Sequence, residues 1–185
     1  EARFSNFRHR PIGVGIQGLA DVFMLLDLPF TSPQARQLNK HIMETIYYAC
    51  FLSSVELAKE YGHYDTFKGS NFSKGLFQFD LWNVKPELYD WESVKKDVVK
   101  FGTRNAVFTT LMPTASTSQI AGANECFEPY TENIYLRGTN AGEYYVINKH
   151  LVTKLKELNL WNEDMVDLIK YNKGSISNID IIPEY

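Results

Sequence analysis

Residues Leu111 to Gly122, LMPTASTSQIAG, include four hydroxyl side chains, Thr114, Ser116, Thr117 and Ser118. The apolar run Ala106 to Met112 leads into them, Pro113 prevents immediate helix continuation, and SQIAGA is compatible with a helix. That order predicts several main-chain N–H groups without intrahelical acceptors at a helix start, with hydroxyls beside them. Such an end carries a partial positive charge and suits phosphate. Ala115 lets a ligand approach the backbone closely. The same residues also suit an ordinary Ser/Thr cap, and no Walker lysine accompanies them.

Other residues admit chemical readings with plainer alternatives. Gly13 to Gly18, GVGIQG, matches the GxGxxG phosphate pattern. A dinucleotide site would need an apolar strand before the first glycine and an acidic residue about twenty positions on, after a second strand. Here SNFRHRP precedes the glycines, so close approach between strands explains them better. The pairs Tyr47-Tyr48 and Tyr144-Tyr145 suggest electron transfer, but their apolar neighbours favour packing. His9, His41, His63 and His150 show no metal-ligand spacing among themselves or with cysteine. Glu125 and Glu128, three apart, could form an acid pair; in a proline-containing loop, hydrogen bonds to local backbone are the simpler expectation.

The elements that must position these residues follow from the hydrophobic pattern. PIGVGIQG at 11–18 reads as a strand, and Leu19 to Leu28 as a short apolar helix. Ser32-Pro33 starts a long helix that Gly62 ends near Tyr61. Its apolar residues form two stripes, Leu38, Ile42, Ile46, Leu57, Tyr61 and Met43, Tyr47, Phe51, Val55, a face too wide for a simple surface helix. At roughly 40 Å it is long for this chain, and we expect it to pack on protein beyond these residues. Residues 62–91 read as an ordered irregular connection, Glu92 to Phe101 as a helix ended by Gly102, and 106–112 as a β-type run. The stretch 123–138 reads as loop, EYYVIN as a strand, and Lys149 to Leu158 and Trp161 to Tyr171 as helices. Repeats, low-complexity tracts and flexible linkers are absent from the sequence.

The chain has 185 residues, enough for one domain with a core. Its 19 Lys+Arg and 22 Asp+Glu give a formal net charge of −3 with the basic residues scattered, which argues against nucleic-acid binding by bulk electrostatics. Cys50 and Cys126 form no CxxC and no disulfide framework, which fits a reducing cytoplasmic setting. The apolar runs are too short for a membrane span. The opening EARFSNFRHR and the closing SISNIDIIPEY suggest a segment of something longer.

Taken in order and spacing, RHRPIGVGIQGLADVFMLL, LNKHIMETIYYACFLSSVELAKEYG, SKGLFQFDLWNV, LMPTASTSQIAGANECFEPYTENIY and GEYYVINKHL resemble the large catalytic subunit of class I ribonucleotide reductase, the eukaryotic and viral type most closely. The resemblance implies an α/β fold: a helix-rich segment of a ten-stranded α/β barrel, with residues 1–185 in its later half and truncated at both ends. It implies that Thr114, Ala115, Ser116 and Thr117 bind the diphosphate of a ribonucleoside diphosphate through main-chain N–H groups and hydroxyls. It further implies a whole enzyme that is a large-subunit homodimer, takes a radical from a small subunit and responds to ATP and deoxynucleoside triphosphate effectors.

Family groups not found in these residues are the Asn-x-Cys-x-Glu stretch of the thiyl cysteine, the redox cysteine pair and the Tyr-Tyr radical relay; neither Cys50 nor Cys126 matches. The segment is therefore expected to hold no catalytic residue, no cofactor and no metal, and to be inactive alone. One departure is local. After Asn133-Ile134-Tyr135 the family usually has two adjacent arginines, whereas Leu136-Arg137-Gly138 has one, which puts any role of the second in doubt.

Overall fold

The computed structural model describes residues 1–140 and 142–183, so the last two residues of the closing stretch lie outside the described residues. Its spine is α3, Pro33–Tyr61, a 29-residue helix. The Ser32 hydroxyl accepts the N–H of Ala35 at 3.1 Å, Pro33 occupies the first turn, and Gly62 ends the helix at φ 79°. The two expected stripes have different fates. Phe51 and Val55 are buried, whereas Leu57 and Tyr61 remain exposed.

The main core forms where Phe51 meets the chain that follows α3. Phe51 stacks on Phe77 at 4.1 Å between centroids and meets the edge of Phe108 at 4.7 Å. Val94 and Val98 of α5, Trp91–Phe101, close this cluster from the other side. Asp90 caps α5 by accepting the N–H of Ser93. The connection at 62–91 is irregular as expected, with a 3-10 turn at Phe72–Lys74 and the short α4, Gln78–Leu81. Glu44 on α3 is buried, and its carboxylate accepts the N–H groups of Glu87 and Leu88 and the indole N–H of Trp91 at 2.8 to 3.0 Å. These bonds tie the connection to the helix.

The two expected β-type runs lie beside each other in parallel, linked by Ile12 N–H to Val107 O (3.0 Å), Val14 N–H to Phe108 O (2.7 Å) and Thr110 N–H to Val14 O (3.1 Å). Only Val14 and Thr109 form a bridge, so neither run is a regular strand among the described residues. The glycines explain the approach. A Cβ on Gly13 would lie 2.4 Å from Thr110 Cγ2, and one on Gly15 would lie 2.6 Å from the Thr110 carbonyl oxygen.

Two elements depart from the sequence reading. The polar opening forms α1, Ala2–His9, which buries nothing. Local pairs one turn apart support it, with the Arg3 guanidinium 5.6 Å from the Phe7 ring and that of Arg8 5.7 Å from Phe4. It stops at Arg10 in the left-handed region, before Pro11. Residues expected as loop contain β1, Ile134–Thr139, paired antiparallel with β2, Gly142–Ile147, in a register that sets Ile134 opposite Ile147. Ile134 packs with Leu155 of α7, Lys149–Glu157, and Met165 and Ile169 of α8, Glu163–Tyr171, in a second core. A third small core joins Leu19 and Phe23 of α2, Leu19–Leu25, to Ala35.

Candidate functional site: the loop at 113–118

The β-type run ends at Met112 and the chain turns sharply at Thr114, whose φ of 56° lies in the left-handed region. The following helix, α6, is only Thr117–Ala121, too short for a large dipole. What the loop offers is local: Ala115, Ser116 and Thr117 are exposed, and their N–H groups meet no acceptor among the described residues. Ser116 occupies the N-cap position, yet its hydroxyl caps nothing, so the ordinary-cap reading does not describe it.

The four predicted residues do not contribute alike. The Thr114 hydroxyl accepts the N–H of Cys126 at 2.8 Å, and Thr114 O accepts the N–H of Ser118 at 2.9 Å. The Thr117 hydroxyl donates to Gln17 Oε1 at 3.1 Å. Both hydroxyls, expected as ligand contacts, are engaged in holding the loop. The groups left facing solvent are three consecutive N–H groups and the Ser116 hydroxyl. The Ser118 hydroxyl is fully buried and has no hydrogen-bond partner among the described residues.

Residues far away in sequence complete the setting, and sequence reasoning did not bring them to the loop. Arg137 on β1 donates to Ala115 O at 3.1 Å and lies 3.6 Å from Glu125 Oε1. This gives the single arginine of the Leu136-Arg137-Gly138 stretch a definite place. It also corrects the expectation for Glu125, whose carboxylate pairs with an arginine rather than with local backbone. Lys149 donates to Gly122 O at the other end of α6. Arg137 thus holds the loop at Ala115, and Lys149 holds the far end of α6. Below it, Asp21 of α2 is 7% exposed. It accepts the N–H of Asn124 at 2.7 Å and the Tyr130 hydroxyl at 2.9 Å, and His150 Nε2 lies 2.7 Å from it. Burial opposes the Asp21 charge, but these three donors together hold its carboxyl below the usual carboxylate range.

The other candidate features resolve structurally. Gly13 and Gly15 face Thr110 of the same chain, so the GxGxxG stretch leaves no open groove for a pyrophosphate. Tyr47 packs on Phe51 at 4.8 Å, with burial pushing its phenol up to about 12, and Tyr48 stacks on Tyr89 at 4.3 Å. Tyr144 and Tyr145 depart from the packing expectation: both are exposed, and the Lys170 ammonium sits 5.4 Å from the Tyr145 ring. Among the described residues no three His, Cys, Asp or Glu side chains converge as metal ligands, and no helix is long and apolar enough to cross a membrane. A cavity of about 670 Å³ beside α3, lined by Met43, Tyr47, Phe79, Trp82 and Trp91, is apolar and includes none of residues 113–118.

The family model described as the ribonucleotide reductase barrel domain matches residues 1–185. The chain is 56% identical over 188 residues to the ribonucleoside-diphosphate reductase large subunit of Acanthamoeba polyphaga mimivirus, covering all of this chain and 21% of that protein. It is 52% identical over 198 residues to the large subunit of Trypanosoma brucei brucei, covering all of this chain and 24% of that protein. Identity to large chain 2 of Saccharomyces cerevisiae is 51% over 185 residues, again covering all of this chain and 21% of that protein. The alpha subunit of the Actinobacillus ureae class Id ribonucleotide reductase superposes with a TM-score of 0.70 at 24% identity, over 98% of this chain and 27% of that one, and shares the fold. The chain thus spans between a fifth and a quarter of the length of these large-subunit relatives. Its parallel β-type runs, crossed over by helices, are part of an α/β barrel wall, and the chain belongs to the ribonucleotide reductase large-subunit family, within its barrel domain.

Proposed function

We propose that this chain is the part of a ribonucleoside-diphosphate reductase large subunit that holds the substrate's diphosphate, in the later half of the barrel. The observation that carries the reading is the run of unpaired N–H groups at Ala115, Ser116 and Thr117, with the Ser116 hydroxyl beside them. Each N–H to phosphate bond is charge-assisted, about 1.5 to 3 kcal/mol, so three that converge on one diphosphate make a competent anchor. Arg137, which binds the Ala115 carbonyl, and Lys149, which binds the Gly122 carbonyl, brace the loop and the end of α6.

In the whole protein this anchor would position the ribose for radical reduction at its 2′-carbon, yielding deoxyribonucleoside diphosphates for DNA precursor synthesis. The radical would come from a small subunit, ATP and deoxynucleoside triphosphates would act as effectors, and the large subunit would work as a homodimer. The chain's own thiols do not suit the chemistry. Cys50 lies on α3 with its thiol pushed up by burial, and Cys126 is buried behind the loop. We therefore expect the 185 residues alone to reduce no nucleotide. Both thiols are unpaired, and we assign the protein to the reducing cytoplasm.

The test is ligand-induced stabilisation of the full-length protein. A ribonucleoside diphosphate should raise its melting temperature, and the double change Ser116→Ala, Thr117→Ala should weaken that effect by loosening the loop and removing one ligand bond. Equal stabilisation of wild type and variant would remove the assignment.

A further inference from the structure

We infer that Asp21, which touches no part of the loop directly, is the positioning residue that fixes the shape of the diphosphate loop, an inference that rests on the reading above. Four hydrogen bonds carry it. Asp21 Oδ2 accepts the N–H of Asn124 at 2.7 Å, while Asn124 O accepts the N–H of Gly18 at 2.9 Å, so both main-chain polar groups of Asn124 are bound to the start of α2. Two residues on, the Cys126 N–H donates to the Thr114 hydroxyl at 2.8 Å, and Cys126 O receives the N–H of Leu19 at 3.4 Å. The segment 124–126 is thus clamped between α2 on one side and Thr114 on the other.

Thr114 is where this clamp matters. Its left-handed φ of 56° costs a β-branched residue about 1 to 2 kcal/mol unless its surroundings enforce it. The bond from Cys126 does so, and that conformation sets the path of the three residues that follow, whose N–H groups have no acceptor among the described residues. The second carboxylate oxygen of Asp21 takes the Tyr130 hydroxyl at 2.9 Å and lies 2.7 Å from His150 Nε2, with Lys149 at 3.9 Å. One buried carboxylate therefore joins α2, the segment after the loop and the start of α7. A neutral amide at position 21 offers one acceptor oxygen where three donors converge.

The experiment measures affinity of the full-length large subunit for a ribonucleoside diphosphate and for the same ribonucleoside without phosphates. In Asp21→Asn the diphosphate should bind about tenfold more weakly, the loss of one charge-assisted bond, while nucleoside affinity stays within about twofold. Asp27→Asn, an exposed carboxylate at the end of the same helix, should change neither. Should Asp21→Asn fail to fold, Tyr130→Phe, which removes one of the three donors, carries the test with a selective loss of about threefold. Equal weakening of both ligands, or no weakening, would overturn the inference. Failure of the underlying reading looks different: Ser116→Ala, Thr117→Ala would then leave diphosphate affinity unchanged, whatever Asp21→Asn does.

Discussion

The close approach of Gly13 and Gly15 to Thr110 makes a sharp prediction. Gly13→Ala and Gly15→Ala each add one methyl group, but against different neighbours. At Gly15 the new Cβ would lie 2.6 Å from the Thr110 carbonyl oxygen, where ordinary contact begins at 3.4 Å. The two runs must part by about 0.8 Å, since a backbone carbonyl cannot rotate away as a side chain can. That separation breaks the flanking bonds Val14 N–H to Phe108 O (2.7 Å) and Thr110 N–H to Val14 O (3.1 Å). At about 1 kcal/mol per bond the local cost is about 2 kcal/mol, or roughly thirtyfold faster amide exchange at Val14 and Thr110. At Gly13 the nearest atom is Thr110 Cγ2 at 2.4 Å, and the next is Cβ at 3.5 Å. Thr110→Ser deletes Cγ2, so it should restore protection to Gly13→Ala and leave Gly15→Ala unprotected. Hydrogen exchange on peptides covering 10–18 and 105–112 of the full-length protein reads both. Rescue of both glycine variants by Thr110→Ser, or normal protection in Gly15→Ala, would refute the reasoning.

Other consequences follow from buried groups. Phe51→Ala should cost about 3 to 5 kcal/mol, because Phe51 is fully buried among Phe77, Phe72 and Phe108, and chemical unfolding would show it; a cost under about 1 kcal/mol would mean the core does not centre there. Glu44→Gln should destabilise by about 2 to 4 kcal/mol and shift Trp91 fluorescence, since three donors converge on that carboxylate. Burial works against the charges of Asp21 and Glu44, but their hydrogen-bond donors hold both carboxyls below their ordinary values. A depressed folded value means the stabilisation is complete at neutral pH, above the unfolded value of about 4, and is lost as pH falls through the folded value. An acid titration of stability should therefore flatten in Asp21→Asn and in Glu44→Gln; unchanged acid limbs would contradict the ionised assignment.

What was legible in the sequence was local. Ser32-Pro33 and Gly62 bracket α3 because capping depends on residues within one turn. The glycines of PIGVGIQG announced a close approach, though not that Thr110 would be its partner. The loop at 113–118 was visible from its proline and hydroxyls. That two of those hydroxyls face inward was not, because their partners Gln17 and Cys126 arrive from other segments. The placement of Arg137, Asp21 and His150 gave no local signal either, since their partners lie twelve or more residues away. The helix α1 escaped notice because it lacks the buried face that hydrophobic periodicity detects. β1 was obscured by the polar run TEN before it, although Ile134-Tyr135-Leu136 is a strand-like triplet.

The central claim concerns three main-chain donors, and amide exchange reports on them directly. In the full-length protein, saturating ribonucleoside diphosphate should slow exchange at Ala115, Ser116 and Thr117, and the unphosphorylated ribonucleoside should not. Exchange at those three amides that is indifferent to the diphosphate, or equally slowed by both ligands, would contradict the account.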